Sequence, residues 1–176
     1  MANYTNCTLT SGFALGCKAG PSGVKTWYLG QYEKGLTFDE DTTGLITGST
    51  ISSGTTFVTL EQKRETASYT DTPTPSIEND NIYYVPEAML IVNGQTADKR
   101  NTIKLIGKNT LFVIAERMDG QYVLLGKTNG MELSVGELGS GTAATDRDGG
   151  SLTLTGLEED PAQFIEYSVI SALVSA

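Results

Sequence analysis

The chain has 176 residues, a formal net charge of −9, an isoelectric point near 4.4 and no histidine. Without histidine it has no Ser-His-Asp triad, no Cys-His pair and no His-ligated metal site. The acidic excess argues against a protein that grips DNA through its phosphates, because that task needs clustered Lys and Arg. The length fits one domain, which we expect at residues 24–176, behind an N-terminal arm at residues 1–23.

The two cysteines, Cys7 and Cys17, both lie in that arm. Their spacing fits neither a zinc knuckle nor a redox CxxC motif, and no base lies near them in sequence. They are either two small buried thiols or a disulfide formed after release from a reducing cytosol. The N-terminus lacks the basic and apolar regions of a signal peptide, and no apolar run approaches a membrane span of about 18–20 residues. We therefore expect synthesis in the cytoplasm and no membrane partner.

The first strong strand signal covers residues 24–32, which are β-branched and aromatic, and Trp27 is expected in the core. Residues 39–41 are acidic, but they lack the ligand spacing of a calcium-binding EF-hand loop and predict a solvated loop. Further strands are predicted at residues 55–62 and 81–92, with Pro86 marking a sheet edge or a bulge.

Residues 63–80 are polar and include Pro73 and Pro75. We predict a loop that is either disordered or used for interactions, projecting between two paired strands. The two prolines are expected to prevent regular strand pairing near its tip. Six charged residues of both signs are candidates for contacts between subunits: Lys63, Arg64, Glu65, Asp71, Glu78 and Asp80.

One helix is predicted at residues 96–107, capped by Thr96 and ended by Gly107. Asp119-Gly120, between two β-rich runs, predicts a tight hairpin. Alternating residues predict later strands, and residues 162–170 fit either a last strand or a short helix. The sum is a mainly β protein: an antiparallel β-sandwich or partly closed barrel with one α-helix and long assembly loops.

No group of residues points to catalysis. The carboxylates form no pair on a predicted rigid element, and the Gly-rich residues 139–142 lack the lysine of a phosphate-binding loop. We therefore predict no enzyme activity, no cofactor and no metal site.

The chain nevertheless resembles a known family in its order of elements. The predicted elements are, in order, a strand, a long polar loop, a strand, the helix with residues 98–105, a strand and the Asp-Gly hairpin. This order is similar to that of the tail tube (major tail) proteins of long-tailed bacteriophages. Residues 7–17, 24–29, 119–126 and 139–156 resemble virion structural proteins of phages that infect Bacteroidetes-type hosts.

The resemblance implies a virion structural protein of the tail, made in the host cytoplasm, without catalytic residues. Its partners would be copies of itself in stacked hexameric rings, other tail proteins, and DNA that passes through an acidic lumen without specific binding. In the family, a loop at the position of residues 63–80 bridges one ring to the next.

Two other classes stay open. One is a different phage structural protein with a similar sandwich: a tail terminator, a head–tail connector or a capsid decoration protein. The other is a carbohydrate-binding β-sandwich, in which residues 82–84, Ile-Tyr-Tyr, would stack on a sugar.

Overall fold

A computed structural model describes residues 12–15, 20–35, 37–50 and 57–174. Strands take up about 50% of the described residues and helices about 12%. In chain order the elements are β1 (Val24–Gln31), β2 (Thr37–Glu40), β3 (Ile46–Thr50), β4 (Phe57–Glu61), β5 (Ser68–Ser76), β6 (Asn81–Asn93), α1 (Ala97–Ile106), β7 (Leu111–Arg117), β8 (Tyr122–Leu125), β9 (Met131–Gly139), β10 (Gly149–Gly156), β11 (Gln163–Phe164) and α2 (Tyr167–Val174). All strand ladders are antiparallel, as the sequence predicts.

Nine of these strands form one sheet that folds over itself into two layers. The first layer has the order β4-β1-β7-β8-β11, and the second has the order β9-β10-β6-β5. The layers are joined where Leu111 of β7 pairs with Met131 of β9. Strands β2 and β3 form a separate hairpin. Within the described residues the sheet does not close into a barrel, so the sandwich-like arrangement is the confirmed one.

The central strands of the first layer, β7 and β8, are buried on both faces, and we call this layer the covered layer. On β7, Leu111, Val113 and Ala115 face the core between the layers, whereas Phe112 and Ile114 face a second cluster beneath β3 and α2. Strands covered on both faces read as continuous apolar runs because neither set of side chains meets water. This double coverage explains the unbroken apolar sequence of β7.

A β-bulge in β1 places Trp27 in the core. The β1–β7 register shifts between Val24 and Thr26, so Val24 and Trp27 reach the same interlayer core despite their odd spacing. Trp27 is fully buried, as predicted, and β1 is central because it pairs with both β4 and β7.

The predicted helix and hairpin are confirmed. The Thr96 hydroxyl accepts a hydrogen bond from the Lys99 amide, and Gly107 follows the last turn of α1, whose Ile103 and Ile106 pack on the interlayer core. Gly120, at φ +84°, occupies the turn between β7 and β8, a conformation that glycine adopts without steric cost.

The sequence expectation of a single helix is wrong, because the last elements include α2. Its Val169, Ile170 and Leu173 lie at helical spacing and are buried against the covered layer. The sequence of residues 162–170 fits either a strand or a short helix. The structure contains both, since the two-residue β11 precedes α2.

The expectation of an irregular loop at residues 63–80 is also wrong. Residues 68–76 form β5, which pairs with β6 at nine positions, from Ser68 opposite Met89 to Ser76 opposite Asn81. Only the turns that flank β5 are irregular.

The register explains why Pro73 does not interrupt this ladder. Tyr84, opposite Pro73, exchanges both of its backbone hydrogen bonds with Glu158 on the far side of β6, at 2.8 and 2.9 Å. The Pro73–Tyr84 pair is therefore of the non-hydrogen-bonded kind, which needs no N–H from Pro73. Pro75, two positions along, occupies the same kind of position opposite Ile82. Both prolines thus turn their nitrogens to the free edge of the sheet, where proline is tolerated.

Pro86 marks an interruption on the other side of β6. The β6–β10 ladder runs from Asn93 to Glu87 and resumes only as the isolated bridge between Tyr84 and Glu158. Pro86, which lacks an N–H, lies between them. The predicted edge or bulge is thus a local gap in a central ladder.

Candidate functional site

The second layer has one face open to solvent, and we call it the open layer. Its inner face packs into the interlayer core through Ala88, Leu90, Leu152 and Leu154. Because side chains alternate along a strand, the intervening residues lie on the opposite face. That outer face carries three exposed glutamates, Glu87 on β6 and Glu132 and Glu137 on β9. Around them lie small polar side chains and three apolar ones, of which Met89 and Val135 are exposed and Ile91 is buried: Ser68, Thr70, Ser151, Thr153, Thr155, Met89, Val135 and Ile91.

The registers place the three glutamates on one continuous surface. Thr155 pairs with Glu87 on one side and with Glu132 on the other, and Ser151 pairs with Glu137. Neighbouring strands lie about 4.8 Å apart, so Glu87 and Glu132 are separated by about 10 Å across the sheet.

No lysine or arginine occurs anywhere in β5, β6, β9 or β10. The outer face of the open layer is therefore negative, and none of its own strands supplies a compensating cation. Such a surface repels a polyanion at distances up to about a Debye length, ~8 Å at physiological salt.

The β5–β6 hairpin extends beyond the body of the open layer as an arm, residues 74–83. At its base, the Asp71 carboxylate accepts a hydrogen bond from the Ala162 amide at 2.7 Å. The buried Glu158, which pairs with Tyr84, accepts from the amides of Thr128 and Asn129, each at 2.9 Å. The arm is therefore held at its base.

The tip of the arm presents apolar side chains to solvent. Ile77 is 98% exposed and Ile82 is 53% exposed, while Glu78 and Asp80 add negative charge. Asp80 has φ +49°, a left-handed conformation that Asp adopts more readily than most residues. A rigid base with a small apolar and acidic tip suits contact with another molecule.

The six predicted contact residues do not form one cluster. Lys63, Arg64 and Glu65 occupy the turn between β4 and β5, next to the start of β1, where the Gln62 amide donates to the Lys25 carbonyl. Glu78 and Asp80 lie in the turn at the arm tip, and Asp71 is used within its own chain. The predicted loop thus splits into two opposite ends joined by a strand.

At the end opposite the arm tip lies an open notch of about 420 Å³, lined by Leu45, Tyr122, Phe164 and Tyr167 among others. The Tyr122 and Tyr167 rings are 5.6 Å apart between centroids, and the Arg117 guanidinium lies 5.9 Å from the Phe164 ring centroid. Phe164 and Tyr167 are 42% and 62% exposed. This aromatic notch exposes apolar side chains to solvent at that end of the molecule.

One rim of the notch is shaped by Asp41. Its carboxylate accepts hydrogen bonds from the amides of Thr43 and Leu45 and from the Thr43 hydroxyl, and these bonds hold its pKa below the ordinary value. The acidic stretch at residues 39–41 therefore shapes a turn through Asp41. No group of three or more possible metal-ligating residues lies within the described part of the chain.

Beside the notch, a buried carboxylate organises the end of the covered layer. Burial disfavours the charge of Glu116, but hydrogen bonds from Lys25, at 2.7 Å, and from Thr26 and Tyr28 outweigh it and lower its pKa. Burial and the nearby Glu116 charge raise the pKa of Tyr28 to about 12. The tyrosine therefore stays neutral near pH 7 and supports the carboxylate as a donor.

Sequence reasoning missed the notch and the acidic face for different reasons. The notch combines residues 43–45, 120–122 and 164–167, which carry no shared local pattern. The acidic face can be recognised only when residues 68–76 are assigned to a strand. The sequence then shows four strands without Lys or Arg. Cys7 and Cys17 lie outside the described residues.

No model of a known protein family, no curated protein and no solved structure matches the chain. Among the described residues, no helix is both long enough and apolar enough to cross a membrane.

Proposed function

We propose that this protein is a tail tube subunit of a long-tailed bacteriophage, which self-assembles into stacked, hexameric rings. The outer face of the open layer lines the lumen, through which DNA passes without specific binding. The protein works in the virion tail beside other tail proteins and catalyses no reaction.

The observation that carries this proposal is the acidic outer face of the open layer. Double-stranded DNA carries one negative charge per about 1.7 Å of axis, so a lumen lined with lysine or arginine would hold it through counterion release. Glu87, Glu132 and Glu137 repel the phosphates instead. The exposed apolar side chains of the face, Met89 and Val135, are not aromatic and offer bases no ring to stack on. Such a wall favours passage over retention.

The edges of the open layer support lateral assembly. In the described chain β5 is paired along one side, and β9 has a second partner only at Met131. Free sheet edges present unpaired backbone groups to neighbouring copies. Because Pro73 and Pro75 lack donors at the β5 edge, a neighbour that pairs there is confined to residues 68–72.

Negative-stain electron microscopy of the purified chain tests self-assembly. We expect hollow tubes of stacked rings at high protein concentration. Discrete single rings that never stack would favour a tail terminator or connector, and particles that remain monomeric at all concentrations would contradict the proposal.

A charge-reversal variant tests the role of the acidic face. In the triple variant Glu87→Lys, Glu132→Lys and Glu137→Lys, we expect tubes that retain double-stranded DNA, with retention falling steeply as salt rises. The matched control, Glu61→Lys, Glu159→Lys and Asp160→Lys, changes the net charge equally at exposed sites outside the face. Equal DNA retention by both variants, measured by co-sedimentation, would show that the face does not line the lumen.

A further inference from the structure

We propose that the aromatic notch is the docking site for Phe13 and Leu15 of the same chain. These two residues belong to the N-terminal segment, which precedes β1 in the sequence. The inference does not depend on the proposed function, because it concerns contacts within a single subunit. It assigns the notch, which is assembled from three separate chain segments, to one occupant.

The first argument is the exposure of the two side chains. Phe13 and Leu15 are 104% and 105% exposed, more than any other large apolar side chain in the described part of the chain. Burial of either would remove apolar area from water, which is favourable. Their neighbours Gly12 and Ala14 are uncharged, so burial of residues 12–15 takes no charged group out of water. An apolar surface within reach would therefore bind this segment.

The second argument is where the N-terminal segment meets the body of the molecule. The Gly23 carbonyl accepts a hydrogen bond from the Met118 amide at 3.0 Å. Three residues earlier, a side-chain carbon added at Gly20 would lie 3.8 Å from the Cβ atom of Asp119. The residue after Asp119, Gly120, lines the notch. The segment thus joins the body beside the surface to which we assign it.

The third argument is the length of the connection. Seven residues lead from Gly20 back to Phe13, and an extended chain of that length spans about 25 Å at most. A short tether of this kind holds its end near the attachment point at an effective concentration on the order of millimolar. Docking in the notch of the same chain is therefore favoured over docking in a second copy.

The fourth argument is chemical. The exposed side chains of the notch include Phe164 and Tyr167, and the Tyr122 ring lies 5.6 Å from the Tyr167 ring between centroids. A phenylalanine ring inserted here meets other rings, and aromatic pairs with centroids about 4.5–7 Å apart attract each other beyond the effect of burial. A volume of about 420 Å³ lies within the range of clefts that bind ligands, and it accommodates the Phe13 and Leu15 side chains.

Disulfide trapping tests the contact. In a background with Cys7→Ser and Cys17→Ser, one variant carries Leu15→Cys and Gln121→Cys, the second of which lines the notch. At low protein concentration, oxidation should give an intramolecular disulfide, seen as faster migration on non-reducing gels and loss of both free thiols. The matched control pairs Leu15→Cys with Ile77→Cys, which is 98% exposed at the opposite end of the molecule. It should form a disulfide at least about tenfold more slowly.

Two outcomes of the trapping experiment would overturn the inference. Equal rates in the two variants would show that residue 15 has no preference for the notch. Covalent dimers that form faster than the intramolecular disulfide would assign the notch to the N-terminal segment of a second copy. Neither outcome bears on tube formation, so failure of this inference leaves the proposed function intact.

Tyrosine nitration tests the contact with the native cysteines in place. Tyr167 is 62% exposed, and Phe13 docked in the notch would cover part of its ring. In the variant Phe13→Ser with Leu15→Ser, we expect tetranitromethane to nitrate Tyr167 several-fold faster than in the native chain, as measured by mass spectrometry of peptides. Tyr83, which is 38% exposed on the arm, is the internal reference and should react equally in both. Equal rates at Tyr167 would contradict the proposal.

Discussion

The covered layer and the open layer use the same antiparallel pairing, but they differ in what their faces touch. Both faces of β7 contact protein, whereas β6 and β10 contact protein on one face and solvent on the other. The central strand β7 can therefore tolerate few changes, since six of its seven residues are buried. The open layer leaves most of one face exposed, apart from the buried Ile91, and that face carries Glu87, Glu132 and Glu137.

The largest expected difference between the layers is in stability. Ile114→Ala, in the covered layer, removes a fully buried side chain and should lower the free energy of unfolding by about 2–5 kcal/mol. Val135→Ala, on the open face, alters a side chain that is 64% exposed and should change the free energy of unfolding by less than about 0.5 kcal/mol. Urea unfolding measures both, and similar losses would contradict the division into two layers.

A second, smaller difference should depend on pH. Glu116→Gln removes the ion pair with Lys25 in the covered layer and should cost about 1–3 kcal/mol at neutral pH. The folded-state pKa of Glu116 is lowered, so the stabilisation is complete above the unfolded value, about 4.5, and is lost as pH falls through the folded pKa.

The measurement is urea unfolding of Glu116→Gln and the native chain from pH 7 to pH 3. The gap between them should narrow below about pH 4.5, because the native carboxyl then becomes protonated as well. Glu87→Gln, on the open face, is the matched control and should shift stability by less than about 0.5 kcal/mol. A gap for Glu116→Gln that stays constant with pH would show that the Lys25 pair does not stabilise the fold.

The sequence predicts the covered layer better than the open one. The apolar run of β7 and the Asp119-Gly120 turn are local signals, and so are the caps of α1 at Thr96 and Gly107. In contrast, β5 has the sequence Ser-Tyr-Thr-Asp-Thr-Pro-Thr-Pro-Ser, with little apolar area and two prolines. Its strand conformation depends on pairing with β6, which is a tertiary effect that composition does not encode.

The candidate surfaces were harder to predict than the fold. The charged residues of segment 63–80 were visible as interaction candidates, but their distribution between two ends required the strand at residues 68–76. The notch joins side chains from distant segments, such as Leu45 and Tyr122, so no window of sequence contains it. Contacts between side chains that are distant in sequence can be predicted only once the register of several strands is known.

Substitutions at the free edge of the open layer should have little effect on stability. We expect them to change how readily one chain associates with another. Pro73→Thr with Pro75→Thr gives β5 two N–H groups that face away from β6, because both positions are non-hydrogen-bonded in that ladder. The folded subunit should lose no more than about 1 kcal/mol, mainly because the unfolded chain gains entropy. The edge, however, gains two donors that can pair with another chain, and prolines at such edges oppose that pairing.

We expect faster growth of thioflavin-T-positive aggregates from the double variant than from the native chain. Pro161→Thr, which lies outside the strands, is the control and should give no acceleration. Unchanged aggregation of the double variant would mean that this edge is already shielded in the free subunit, and the two layers would then differ in their faces but not in their edges.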